Sequence, residues 1–258
     1  MRYKATVMYD GTMFHGFQSQ TDLRTVQDEI EKVLLIICKK KIIVYSSGRT
    51  DTGVHALGQV FHFDTDIKME EWQMKNAINS RLPKDIYIKN IEIVDENFHS
   101  RFTPHIKTYK YVINLNEYNP LDSNYCYYYR YHLDVEKMID ASKIFIGVHD
   151  FKSFTKNHII ENTVRTIYAI DFEINNQVIN IYFKGNGFLH NMIRIIVAML
   201  LEVGNDRISK DDLKNILESK NRTLAPKLAP PNGLYLVKVE YNEWSFLHSF
   251  FYFNNSKK

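Results

Sequence analysis

The sequence predicts an α+β protein built from two ferredoxin-like β-α-β-β-α-β halves that share or abut a mainly antiparallel sheet. Three observations carry this. The same order of strand-like and helix-like hydrophobic patterns runs through the 258 residues twice. Glycine and proline are scarce, at 10 and 6, where average usage gives roughly 18 and 13, so a disordered or collagen-like chain does not fit. No flexible linker separates the two copies. The boundary therefore falls near Phe98 to Lys107, with halves at 1–103 and 104–245 and a tail at 246–258.

In the first half, Lys4 to Tyr9 alternates as a strand and Asp10-Gly11 marks its turn. Thr25-Val26-Gln27-Asp28 resembles a capping box. It opens a helix whose apolar face is Val26, Ile30, Val33, Leu34 and Ile37. Strands follow at Ile42 to Ser46 and Gln59 to Asp64, then a helix from Glu70 to Arg81 that Pro83 stops, then a strand at Ile86 to Val94.

The second half repeats the order. Thr108 to Leu115 reads as a strand, and Val135 to Ile146 as a helix turning Val135, Met138, Ile139, Ser142, Phe145 and Ile146 inward. Strands follow at Arg165 to Ile174 and Val178 to Lys184, then a largely apolar helix from Phe188 to Val203. An additional polar helix opens at the N-cap Ser209. Leu234 to Val239 closes the pattern as a strand.

Composition bounds function only loosely. The formal charge is +3, which permits a nucleic-acid partner without demanding one. Cys38 and Cys126 have no metal-ligand or disulfide spacing, and this favours a reducing compartment. The start has no apolar signal segment, and the longest apolar run, Ile195 to Leu201, is far short of the roughly 18 residues a membrane span needs. The chain reads as soluble and cytoplasmic, with no membrane partner. It has no Rossmann glycine run, no P-loop and no zinc spacing, so neither a cofactor nor a metal is expected.

Two features stand out as chemistry. Gly48-Arg49-Thr50-Asp51-Thr52-Gly53 puts an arginine and a carboxylate between two glycines, which permit positive φ or close backbone approach. A polar turn with a surface ion pair is the competing reading of that segment. Arg194 lies inside Met192-Ile193-Arg194-Ile195-Ile196, and its helical neighbours Val197, Ala198 and Leu201 are all apolar. A buried unpaired charge costs several kcal/mol, so Arg194 should meet a carboxylate from elsewhere in the fold. The alternative is that it snorkels to the edge of the sheet.

The chain resembles the tRNA pseudouridine synthases of the TruA family nearly end to end. The matching blocks are YDGTMFHGFQSQ at 9–20, TVQDEIEKVL at 25–34, GRTDTGVHALGQVFHF at 48–63 and NSRLPKDI at 79–86. They continue with FHSRFTPHIKTYKY at 98–111, GVHDFKSF at 147–154, GNGFLHNMIRIIVAMLLEVG at 185–204 and APPNGLYLVKVEY at 229–241. A lone GRTD would be weak; eight blocks in family order are specific. The departures are Thr52 where alanine is common and Ala198 where glycine is frequent. Neither touches the chemistry, though Ala198 bears on helix packing near Arg194.

The resemblance implies the pseudouridine synthase fold and these roles. Asp51 falls at the catalytic aspartate, and Arg194 at the arginine that pairs with it. Arg49 falls where an arginine helps displace the target base, Tyr109 where a tyrosine stacks on the flipped uracil, and Leu234 where an apolar residue lines the base pocket. It further implies a homodimer acting on uridines at positions 38 to 40 of the tRNA anticodon stem-loop. The reaction breaks the N1–C1′ bond, turns the uracil and joins C5 to C1′. Asp51 has three routes open: attack at C1′, abstraction of a proton at C2′, or addition to C6 of uracil. Arg101, Lys107 and Lys110, beside Tyr109, are candidate contacts to RNA phosphates, while Lys39-Lys40-Lys41 reads as a solvated helix end.

Other readings separate on particular residues. Tyr9-Asp10-Gly11-Thr12 lacks the first aspartate of the phosphatase DxDGT loop, since Met8 stands there. A passive RNA-binding module has no use for an arginine inside an apolar helix, and no RNP1 run is present. A ribosomal or other RNA substrate remains the alternative within the family.

Overall fold

The structure is a computed structural model that describes residues 1–156 and 159–241. The proposed tail, and with it Trp244 and the aromatic run from Phe246 to Phe253, lies outside the described residues.

In the first half the elements are β1 (Arg2–Tyr9), α1 (Val26–Cys38), β2 (Tyr45–Ser46), β3 (His55–Asp64), α2 (Glu71–Asn79) and β4 (Ile86–Val94). The second half holds β5 (His105–Asn114), β6 (Tyr127–Tyr128), α3 (Val135–Ser142), β7 (Gly147–Asp150), β8 (Val164–Asn175), β9 (Val178–Gly185), α4 (Met192–Gly204), α5 (Lys210–Ser219) and β10 (Leu234–Tyr241).

Eight of these strands run in one continuous sheet in the order β4-β1-β3-β10-β5-β9-β8-β7, with β2 paired to β3 and β6 to β5. The two halves repeat one arrangement. Where the first places β4-β1-β3-β2, the second places β10-β5-β9-β8. All pairings within each ferredoxin-like unit are antiparallel. The units join through a parallel seam of β3 with β10, in register at His55↔Tyr235 and Ala56↔Leu236.

Local chemistry explains most element ends. The Thr25 hydroxyl accepts from the Asp28 N–H to cap α1, and Lys39 ends it in the left-handed region at φ 56°. Glu70 and Gln73 form a capping box on α2, and Ser209 and Asp212 form one on α5. Helix α4 is buried almost all round because α3 and α5 both pack on it.

The structure differs from the sequence reading where long-range pairing decides. β3 begins at His55, four residues before the periodicity suggests, because β10 of the other half pairs with its start. The 42–46 strand shrinks to Tyr45–Ser46. The helix read to Ile146 stops at Ser142 and continues as one 3-10 turn, leaving Ile146 exposed and Ala141 buried instead. α4 starts at Met192 because Asn191 is left-handed, at φ 61°. The short strand β7 extends the sheet edge beyond β8.

Candidate active site

The Asp51 loop is shaped by glycines outside it as well as inside. A Cβ on Gly16, at φ 88°, would fall 2.5 Å from the Thr50 carbonyl oxygen, and one on Gly11 would fall 2.1 Å from that of Val54. Only glycine lets the 10–17 segment press this closely on the loop. The Gly53 N–H donates to the Phe14 carbonyl (3.2 Å) and the Phe17 N–H to that of Thr50 (3.4 Å). The Val54 N–H donates to the Asp51 carbonyl at 3.1 Å, closing a four-residue turn. Its third residue is Gly53 at φ 77°, the position where a type II turn requires positive φ. The Gln59 side chain donates to the Gly48 carbonyl (2.9 Å) and holds the other end.

The partner that Arg194 requires is Asp51. The guanidinium Nη1 stands 3.4 Å from Asp51 Oδ2, joining residues from the two halves. The arginine side chain is 11% exposed and the carboxylate 20%. Two closer contacts orient the arginine: Nε donates to the Ala229 carbonyl and Nη1 to Asn191 Oδ1, both at 2.8 Å. Because Arg194 lies in the first turn of α4, the carboxylate sits beside the helix end where the macrodipole favours negative charge.

His190 and Asn191 are functional candidates that hydrophobic pattern did not single out. Asn191 occupies the N-cap of α4 but makes no capping bond. Its oxygen accepts from Arg194, while its amide nitrogen lies 3.0 Å from His190 Nε2. His190 Nε2 is in turn 3.5 Å from Asp51 Oδ1. With the Asn191 oxygen committed to a guanidinium, its NH2 must be the donor to His190, so that ring nitrogen is an acceptor. The available signal was positional: Asn191 is three residues before Arg194 and therefore on the same helical face.

Tyr109 and Leu234 are both buried, on the neighbouring strands β5 and β10. Tyr109 is buried and packs edge-on against Phe188 at 5.3 Å. Burial, then the neighbouring Tyr9 and Asp51, push its phenol well above the usual range, so the hydroxyl stays neutral. Leu234 is buried opposite Tyr111 in the β10–β5 register, with Leu236 opposite Tyr109. Arg49 is exposed, and makes no hydrogen bond or ion pair among the described residues.

The three basic residues diverge. Lys107 shares the buried face of β5 with Tyr109. Lys110 lies on the opposite face, its ammonium 5.0 Å from the Tyr235 ring centroid, so it does not adjoin Tyr109. Arg101 is exposed on the segment before β5, over the Phe102 ring. Lys40 is paired with Asp66.

A buried histidine locks the seam beneath the loop. His55 Nδ1 accepts from the Gly11 N–H (3.0 Å), so Nε2 carries the proton and donates to the Asn124 carbonyl (2.9 Å) in the second half. Its ring stacks on Tyr235 at 4.8 Å. Tyr125 adds a second link by donating to Asp10 Oδ2 (2.7 Å).

Comparison with known proteins agrees with this architecture. The family model described as tRNA pseudouridine synthase matches residues 5–103 and 141–242. The tRNA pseudouridine synthase A of Geobacillus sp. (strain WCH70) is 47% identical over 244 residues, covering 93% of this chain and 98% of that protein. The protein of that name from Bacillus subtilis (strain 168) is 44% identical over 246 residues, covering 94% and 100%. The one from Streptococcus pneumoniae (strain Hungary19A-6) is 44% identical over 247 residues, covering 94% and 99%. By sequence over nearly its whole length, the chain belongs to the tRNA pseudouridine synthase family.

Proposed function

We propose that this protein isomerises uridine to pseudouridine in the anticodon stem-loop of tRNA, at positions 38 to 40. The observation that carries this reading is the Asp51–Arg194 pair, formed across the two halves; Tyr109 and Leu234 are both buried. A carboxylate, an aromatic and an apolar wall are the groups needed to act on a sugar and hold an extruded base.

Asp51 acts on the nucleotide as nucleophile or base, and Arg194 holds it in position. The target base leaves its stack at a cost of a few kcal/mol. Stacking on Tyr109 returns about 1–3 kcal/mol, and Arg49, exposed and without a hydrogen bond or ion pair among the described residues, enters the vacated space. Leu234 lines the base pocket. Arg101 and Lys107 face RNA phosphates. Of the described helices none is long and apolar enough to cross a membrane. We place the enzyme in the cytoplasm, acting without a cofactor as a homodimer of chains divided at 103/104, with tRNA lying across both subunits.

Mapping pseudouridine in total RNA from cells with and without the gene tests the reaction and its sites together. Loss confined to the anticodon arm of tRNA supports the reading. Loss in ribosomal RNA moves the substrate, and no loss with purified protein that releases no tritium from C5-labelled uridine leaves an RNA-binding module. A solution mass of one chain at micromolar concentration would remove the dimer.

A further inference from the structure

Lys107 is a buried amine with an unusual lack of compensation. It is 8% exposed, and among the described residues its Nζ donates to a single acceptor, the Ser47 carbonyl at 2.8 Å. No carboxylate lies within 4 Å of it among the described residues, nor of Arg101 or Arg165. Burial first, then the positive charges of Arg101 and Arg165, push the Lys107 ammonium down to about 8. Arg165 is itself held by the carbonyls of Asn162 and Val164.

The position is as informative as the burial. Lys107 is two residues before Tyr109 on the same face of β5. A Cβ on Gly48 would fall 2.6 Å from its Nζ, so the ammonium rests against the residue preceding Arg49. Only glycine leaves it that space. An ammonium buried at the floor of the catalytic loop with no acid beside it among the described residues is costly in the free protein, and the cost is recovered when an anion enters.

We propose that Lys107 forms a subsite for one backbone phosphate next to the target uridine, fixing the nucleotide's register so that its base meets Tyr109 and its sugar meets Asp51. The proposal rests on the RNA-modifying function argued above. Among phosphates of a bound RNA, a buried lysine selects one, whereas exposed lysines meet the backbone wherever it passes.

The test is a scan of neutral methylphosphonate linkages placed singly around the target uridine of a ligated tRNA, read with wild type, Lys107→Met and Lys107→Arg. Wild type should lose about 10-fold in affinity at one linkage adjacent to the uridine. Lys107→Met should show that same loss on native tRNA and no further loss at that linkage, with a salt slope lower by about 1. Lys107→Arg should keep the wild-type pattern. Thermal melting of free Lys107→Met should match or exceed wild type, since a buried charge is removed. A wild type indifferent to every linkage overturns the proposal. So does a Lys107→Met defect that adds to the loss at each linkage, or a Lys107→Met protein that fails to fold, because either makes the lysine a structural anchor for Ser47. Wild type that forms no pseudouridine in native tRNA would instead refute the function on which the subsite rests.

Discussion

Arg194 is held more closely by Asn191 than by Asp51. The guanidinium is 2.8 Å from the Asn191 oxygen and 3.4 Å from the carboxylate, so the arginine is placed by its own helix cap and offered to Asp51. Helix α4 forgoes a side-chain cap to do this, a loss that costs about 1 kcal/mol in ordinary helices. The left-handed φ of Asn191 suits asparagine, which tolerates that region better than most side chains.

Asn191→Gly keeps the backbone conformation and removes only the amide. It should fold normally, bind tRNA with nearly unchanged affinity and lose about 10- to 100-fold in turnover, the scale of a misplaced catalytic group. Single-turnover pseudouridine formation measures this; a wild-type rate would show that Ala229 and Asp51 suffice to place Arg194.

Asp51→Asn preserves shape and removes the charge. The expected protein melts normally and binds tRNA, with turnover lower by at least about 100-fold. Residual activity above roughly 1% of wild type is incompatible with a role for Asp51 on the sugar or base.

Tyr109 separates stacking from hydroxyl chemistry. Tyr109→Phe retains the ring against Phe188 and should stay within a few-fold of wild type, whereas Tyr109→Leu loses about 1–3 kcal/mol of base stacking. Comparing kcat/KM for the two variants checks this: equal losses would assign the role to the hydroxyl.

His62 predicts acid sensitivity at the junction between halves. Its Nδ1 accepts from the Ser100 N–H (3.2 Å), and its ring lies against Tyr45, Phe98 and His99. Burial first, then His99 and Arg2, push its pKa down to about 4. The unfolded chain therefore takes up this proton first, and stability should fall as pH drops from about 6.5 towards about 4. Urea unfolding at several pH values measures the slope, and His62→Gln should flatten it.

The sequence pattern made the doubled β-α-β-β-α-β order legible because each element carries its own periodicity, and Arg194 was conspicuous because a charge interrupts an apolar helix. The early start of β3 was not legible, since His55 and Ala56 become strand by pairing with residues of the other half. The divergence of Lys107 and Lys110 followed from strand alternation, but their surroundings did not. His190 and Asn191 are not legible from periodicity, because a cap whose side chain faces away from its helix has no periodic signature. Gly11 reads as a turn residue, and only the fold shows that the missing side chains of Gly11 and Gly16 make room for the Val54 and Thr50 carbonyls.

The seam between the halves is two residue pairs long, and both Asp51, in the loop that leads into β3, and Leu234, at the start of β10, lie within a few residues of it. The Asp51–Arg194 pair draws on both halves, so on the proposed site catalysis reports on assembly. A chain that opens at His55 and Tyr235 while each sheet stays intact would be inert yet still folded by most spectroscopic measures. Two fragments divided near residue 103 would regain turnover only when mixed. Activity is thus the most sensitive gauge this molecule offers of whether its duplicated parts have met in register.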